Sequence, residues 1–158
     1  MLFRSCRNED RYNGYLDTLK RNNLDVIPEY VVETNQTEKE GYEAMEQLLK
    51  SDDCPTGIYC ANDITAVGML KYLGRCRNLY FTPSIIASDD IEEAQYTKPM
   101  LTTVGLPKEE MGKFALYLLL DRMKGGHSGV VRMELAGHLM IRNSCSHVSE
   151  STWSDYCI

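Results

Sequence analysis

The sequence predicts an α/β protein, a doubly wound and mainly parallel sheet with helices on both faces. Two observations carry that expectation. Short β-rich runs alternate with longer segments of helical periodicity along nearly the whole chain, the pattern of repeated β-α units. One buried run, residues 84–88, then ends abruptly in two adjacent carboxylates, Asp89 and Asp90. Charge at the carboxyl end of a buried strand sits on the edge where open α/β sheets bind their ligands.

The elements follow in order. Residues 1–6 are a short strand-like start. Residues 9–21 are helical, with Tyr12, Tyr15, Leu16 and Leu19 at helix spacing and Asn22-Asn23 as a stop. Residues 29–33 are β-rich. Thr37 caps a helix over 38–50, and Glu40 at its third position completes a capping box. The apolar stripe of that helix is Tyr42, Met45, Leu48 and Leu49. Residues 56–60 form a buried strand. Residues 63–73 are helical, with Ile64, Val67, Met69 and Leu70 facing inward and Gly74 ending the helix. Strands at 84–88 and 101–104 follow, then a helix over 107–124 stopped by Gly125-Gly126. Residues 130–135 and 138–141 read as a hairpin around Ala136-Gly137. No internal repeat is present, and the Ser-rich tail calls for no regular structure.

Composition narrows the function. A chain of 158 residues suits one domain with a core of its own. The formal charge of −6 and the lack of any basic run longer than two residues argue against a nucleic-acid surface. No stretch approaches the roughly 20 apolar residues that span a bilayer, and no signal-peptide core stands at the start. A cytoplasmic location is the expectation. The cysteines, at 6, 54, 60, 76, 145 and 157, show no C-x-x-C spacing, and His127, His138 and His147 are not placed beside them as metal ligands. Scattered reduced thiols, with no metal and no cofactor, are expected.

The stretch from 83 to 112, PSIIASDDIEEAQYTKPMLTTVGLPKEEMG, is the most specific part. It resembles the effector-binding core of LacI/GalR-type transcriptional regulators, in which a strand enters an acidic pair, then Y-x-x-P-x-L-T-T-V, then P-K-E-E-x-G opening a helix. The matching residues are Asp89, Asp90, Tyr96, Pro99, Leu101, Thr102, Thr103, Val104, Pro107, Lys108, Glu109, Glu110 and Gly112. PTGIYCANDITAVG (55–68), LLDRMKGG (119–126) and IRNSC (141–145) extend the likeness over about 1–145. The resemblance implies one subdomain of a periplasmic-binding-protein-like fold with an orphan strand and helix from the other. Residues 1–145 would be the effector-binding part, about 99–125 would belong to a missing partner subdomain, and 146–158 would be a polar tail. Met1-Leu2-Phe3 looks like the end of a strand opening a second subdomain. On this reading the chain is a truncated regulator without a helix-turn-helix, and it would not bind DNA itself.

A polyol is recognised by fixed acceptors, forked donors and amides that do both. The resemblance places three such groups in the cleft: Arg11 as donor, Asn62 as donor and acceptor, and Asp89 as acceptor. Arg7 could reach the same cleft and would favour an anionic group. Structural alternatives stand beside these. Arg11 could be an exposed helix-start arginine, and Asn62 could simply cap the helix that follows it. Asp63 is read as structural, complementing the helix dipole. Asp90 is read as a turn or helix-start residue. Two departures matter. Relatives usually carry glycine where Ala87 stands, which could alter the backbone approach to the ligand. Many also carry a stacking aromatic where Asn35 and Gln36 stand, and neither can stack on a sugar face.

The implied function is sensing of an effector, a sugar or similar small polar metabolite, by a LacI/GalR-type regulator rather than catalysis. The alternatives are a non-binding dimerising fragment, or a metal-dependent phosphoryl-transfer enzyme using Asp89 and Asp90. The latter lacks a third strand-end carboxylate, a P-loop and a nucleophile elbow. On the helix over 107–124, Met111, Phe114, Ala115, Leu118, Leu119 and Met123 form a wide apolar stripe. Left uncovered it predicts a homodimer or a segment-exchanged oligomer.

Overall fold

A computed structural model describes residues 2–4, 9–50, 54–76 and 82–146. Among the described residues, six strands form one sheet: β1 (Leu2–Arg4), β2 (Val31–Glu33), β3 (Gly57–Tyr59), β4 (Ser84–Asp89), β5 (Thr102–Gly105) and β6 (His138–Met140). Their order is β2-β1-β3-β4-β5-β6, parallel throughout except for β6, which pairs antiparallel with β5. Four α-helices among the described residues join them: α1 (Glu9–Arg21), α2 (Glu38–Leu49), α3 (Asp63–Leu73) and α4 (Lys108–Met123). The step from β1 to β2 runs one way across the sheet, and the steps to β3 and β4 run the other. Right-handed crossovers therefore put α1 on one face and α2 and α3 on the other. The reversal lies between β1 and β3.

The core sits between α2, α3 and the sheet. Met45, Leu48, Ile58, Cys60, Met69, Leu70, Ile85, Ala87 and Leu101 are buried together there. The two helices touch backbone to backbone. A Cβ at Gly41 would collide with the Thr65 carbonyl, and one at Gly68 with the Glu38 carbonyl. Only glycine permits that approach. Ala87 belongs to this core, so its methyl group faces the helices. Burial pushes the Cys60 thiol far above its ordinary range, which makes it inert. Cys76 and Cys145 are free thiols, and Cys6 and Cys157 lie outside the described residues.

Three expectations need correction. Pro28 opens a 3₁₀ turn over Pro28–Tyr30, so the strand begins only at Val31. Ile64 does not face inward: it is 37% exposed, because α3 turns Ala66, Met69 and Leu70 toward the core instead. Residues 130–135 form no strand and no hairpin. β6 takes the open edge of β5, where Leu139 lies opposite Val104, and leaves Val130 in solvent. Of residues 99–125, β5 is registered against β4 over four residues, whereas α4 buries none of its residues. Tyr80, Phe81 and residues 147–158 lie outside the described residues.

Candidate functional site

The carboxyl ends of β3 and β4 and the start of α1 meet at the reversal of strand order. Arg11, in the first turn of α1, spans the gap. Its Nη2 donates to Asp89 Oδ1 at 2.8 Å, and its Nη1 donates to the Ala61 carbonyl. Both side chains of the ion pair remain a little under one-third exposed, so the pair opens to solvent from a fixed base. Asn62 stands between them in sequence order and caps α3: its Oδ1 accepts from the Thr65 N–H at 3.1 Å. Its Nδ2 donates to the Gln36 side chain at 3.2 Å and lies 3.4 Å from the Gln36 carbonyl. Asn62 therefore caps α3 and reaches the residue before the α2 cap at the same time. Arg7 lies outside the described residues.

Behind this edge stands a second charged layer. Asp63 is fully buried and accepts from Thr103 Oγ1 at 2.5 Å and from the Ile91 N–H at 3.0 Å. Burial raises its pKa, these two hydrogen bonds oppose the rise, and the nearby Asp89 and Asp90 charges add to it. Asp90 is paired with Arg142, Nη2 to Oδ1 at 2.6 Å. Each member of the acidic pair thus has its own arginine. A carboxylate neutralised by a guanidinium is a poor cation ligand, and among the described residues no group of three or more His, Cys, Asp or Glu could hold a metal.

The structure sets Arg11 against Asp89 and Asn62 against Gln36, and three groups near this edge carry little signal in the sequence. The Ala61 carbonyl has no side-chain signal at all. From sequence Gln36 reads only as unable to stack, whereas its side chain is a partner of Asn62. Its signal is positional: it holds a left-handed backbone, φ +62°, one residue before the α2 cap. Arg142 lies beyond the last strand and outside any periodic pattern. Near Gln36, the Glu40 carboxylate accepts from the Asn35 N–H at 2.5 Å and from Asn35 Nδ2 at 2.7 Å. These bonds, led by the Asn35 side chain and opposed by burial, lower its pKa, with Thr37 adding to the effect.

A forked donor and a carboxylate thus meet at the carboxyl edge of a parallel β-α sheet, the edge where open sheets of this class bind ligands. The chain belongs to the periplasmic binding protein-like domain family, matched over residues 3–145, as the effector-binding region of LacI-type regulators. It is 37% identical over 136 residues to the HTH-type transcriptional repressor CytR of Escherichia coli (strain K12), a match covering 85% of this chain and 40% of that one. The chain therefore spans less than half the length of that curated relative. A LacI-family regulatory protein from Chloroflexus aggregans superposes with a TM-score of 0.80 at 28% identity, covering 92% of this chain and 54% of the other. A LacI-family regulator from Enterococcus faecium with bound ribose superposes at 0.77 and 26% identity, over 90% and 54%. The similar curated proteins are transcriptional repressors. No helix among the described residues is long and apolar enough to cross a membrane.

Proposed function

We infer that this chain is the effector-sensing portion of a LacI/GalR-type transcriptional repressor, and that its ligand is a sugar or similar small polar metabolite. The observation that carries this reading is the Arg11–Asp89 pair at the reversal of strand order, flanked by Asn62. A ligand hydroxyl can replace either member as partner: the guanidinium offers donors, the carboxylate acceptors, and Asn62 both. The ribose-bound relative supports a sugar. Gln36 and Asn35, in place of a flat ring, favour a ligand rich in hydrogen-bonding groups. A repressor works where its DNA lies, which for this reading means the cytoplasm. The charge of −6 makes direct DNA contact by this chain unfavourable.

The same reading gives α4 a partner. Its apolar residues, among them Met111, Tyr117 and Met123, face solvent, and a second copy of this chain is the occupant the reading favours. Light scattering that finds a clean monomer would remove that part of the proposal. The ligand is tested by thermal shift against monosaccharides, disaccharides, sugar phosphates and purines, with Arg11→Ala in parallel. A ligand that binds only the folded state raises the melting point. A shift lost in Arg11→Ala is the expected result. A shift retained in that variant would place the site elsewhere, and no shift with any compound would remove the sensing role.

A further inference from the structure

Asp89 and Asp90 are consecutive non-glycine residues at positive φ, +128° and +47°. L side chains rarely adopt such backbones, although Asp tolerates the second better than most residues do. A strained pair of this kind persists only where its surroundings over-determine it. The two residues are held very differently. The Asp89 carboxylate meets Arg11 at the open cleft. Asp90 is held through its backbone and its side chain. Its N–H lies 3.4 Å from Thr103 Oγ1, its carbonyl accepts from Lys108 Nζ at 2.8 Å, and its carboxylate accepts from Arg142 at 2.6 Å.

Arg142 is itself anchored. Its Nη1 donates to the Leu101 carbonyl at 2.9 Å, its backbone N–H donates to Thr102 Oγ1 at 3.0 Å, and its side chain is only 11% exposed. Gly105 lies beside Asp90: a Cβ there would stand in ordinary contact, 3.4 Å from the Asp90 Cβ. Asp90 is tied at its N–H, its carbonyl and its carboxylate, and the carboxylate's partner comes from a residue beyond β6.

We propose that Arg142 is a positioning residue for the ligand site: by clamping Asp90, it holds the turned backbone that presents the Asp89 carboxylate to Arg11 and to the ligand. This rests on reading the Arg11–Asp89 edge as the ligand site. Without the clamp the strained peptide relaxes toward extended geometry. Because side chains alternate along extended backbone, a small change there re-aims Asp89. Arg142 thus acts on Arg11 through two intervening residues and no direct contact.

A double-mutant cycle on the full chain tests this. The denaturation midpoint is measured for Arg11→Gln in the wild-type, Arg142→Gln and Asp90→Asn backgrounds. Asparagine accepts left-handed backbone, so Asp90→Asn removes the charge pair and guards against a misfolded Arg142→Gln. The expected result is that Arg11→Gln lowers the midpoint in wild type and by no more than half as much in the other two backgrounds. An arginine with a merely structural role lowers the midpoint without changing the Arg11 increment, since distant independent sites add. Equal increments in all three backgrounds would overturn the proposal, as would no effect of Arg11→Gln in wild type. Thermal shift with D-ribose runs beside the cycle. A non-additive cycle without a ribose shift speaks against ribose as ligand and leaves the clamp standing. An additive cycle with a ribose shift intact in Arg142→Gln sinks the clamp and spares the ligand site.

Discussion

The carboxyl edge of the sheet and the helix α4 are the two regions of this molecule with the strongest sequence patterns, and they resolve in opposite ways. At the edge, Arg11, Asn62, Asp89 and Asp90 come from three distant parts of the chain and find partners at defined distances. Along α4, a regular apolar stripe finds no cover: the helix buries no residue, and Met123 is 73% exposed. The lesson is about what each kind of pattern specifies. A hydrogen-bonding group names its partner by geometry and charge, and sheet topology delivers that partner to one edge. An apolar stripe says only that it is to be covered, because the hydrophobic effect has no direction.

The largest expected effect breaks the support under the edge. α3 carries Asn62 at its cap and Asp63 in its first turn, and its position depends on the glycine contact with α2. Gly68→Ala drives a methyl group into the Glu38 carbonyl, and backbone cannot yield as a side chain does. Destabilisation of about 3 kcal/mol, the upper part of the overpacking range, is expected in chemical denaturation. A loss below about 0.5 kcal/mol, typical of free surfaces, would mean that the helices are not in backbone contact.

Next comes the pair itself. Arg11→Ala removes two charge-assisted donors and leaves Asp89 half-solvated. A loss of about 1–2 kcal/mol is expected, lower than for a buried pair because water compensates. The midpoint in urea reads it, and no change would make the pair incidental.

Asp63 gives the comparison a pH axis. Its folded-state pKa lies above the ordinary value of 3.8, chiefly through burial. Between the two values the folded state holds the proton more tightly than the unfolded chain does. The Asp63 contribution is therefore intact below 3.8 and is lost as pH rises toward the folded pKa. Glu40, whose pKa is lowered, works in the opposite sense, so the difference between wild type and Asp63→Asn isolates the effect. In Asp63→Asn the amide can still accept from Ile91 and donate to Thr103, whose hydroxyl rotates. Stability measured from acid to neutral pH should then fall less than in wild type. Parallel profiles would show that Asp63 ionises normally.

Much of this was legible because local signals and topology agreed. The spans of α1 and α3 follow from stop and cap residues, Asn22-Asn23, Asn62 and Gly74, and those signals act within one turn. β6 was legible as a strand but not in its pairing. Its partner, the free edge of β5, is a feature of the assembled sheet and has no trace in the loop around Gly137. Ala61 offers a carbonyl that any residue would offer. Arg142 meets Asp90 across 52 residues, and no local pattern encodes that distance.

The smallest effect sharpens the comparison most at α4. Gly112 lies within the helix, next to the stripe, and a Cβ there would meet nothing within 4 Å. If this face is open to solvent, Gly112→Ala adds only helix propensity and stabilises the chain by about 0.5–1 kcal/mol. If a second copy covers the face at that point, the methyl group enters an interface instead. The variant then loses stability in proportion to dimer dissociation, and both its melting point and its light-scattering mass fall on dilution. One substitution therefore asks whether the apolar pattern of α4 describes an occupied surface or an open one, and it does so without disturbing any group at the carboxyl edge.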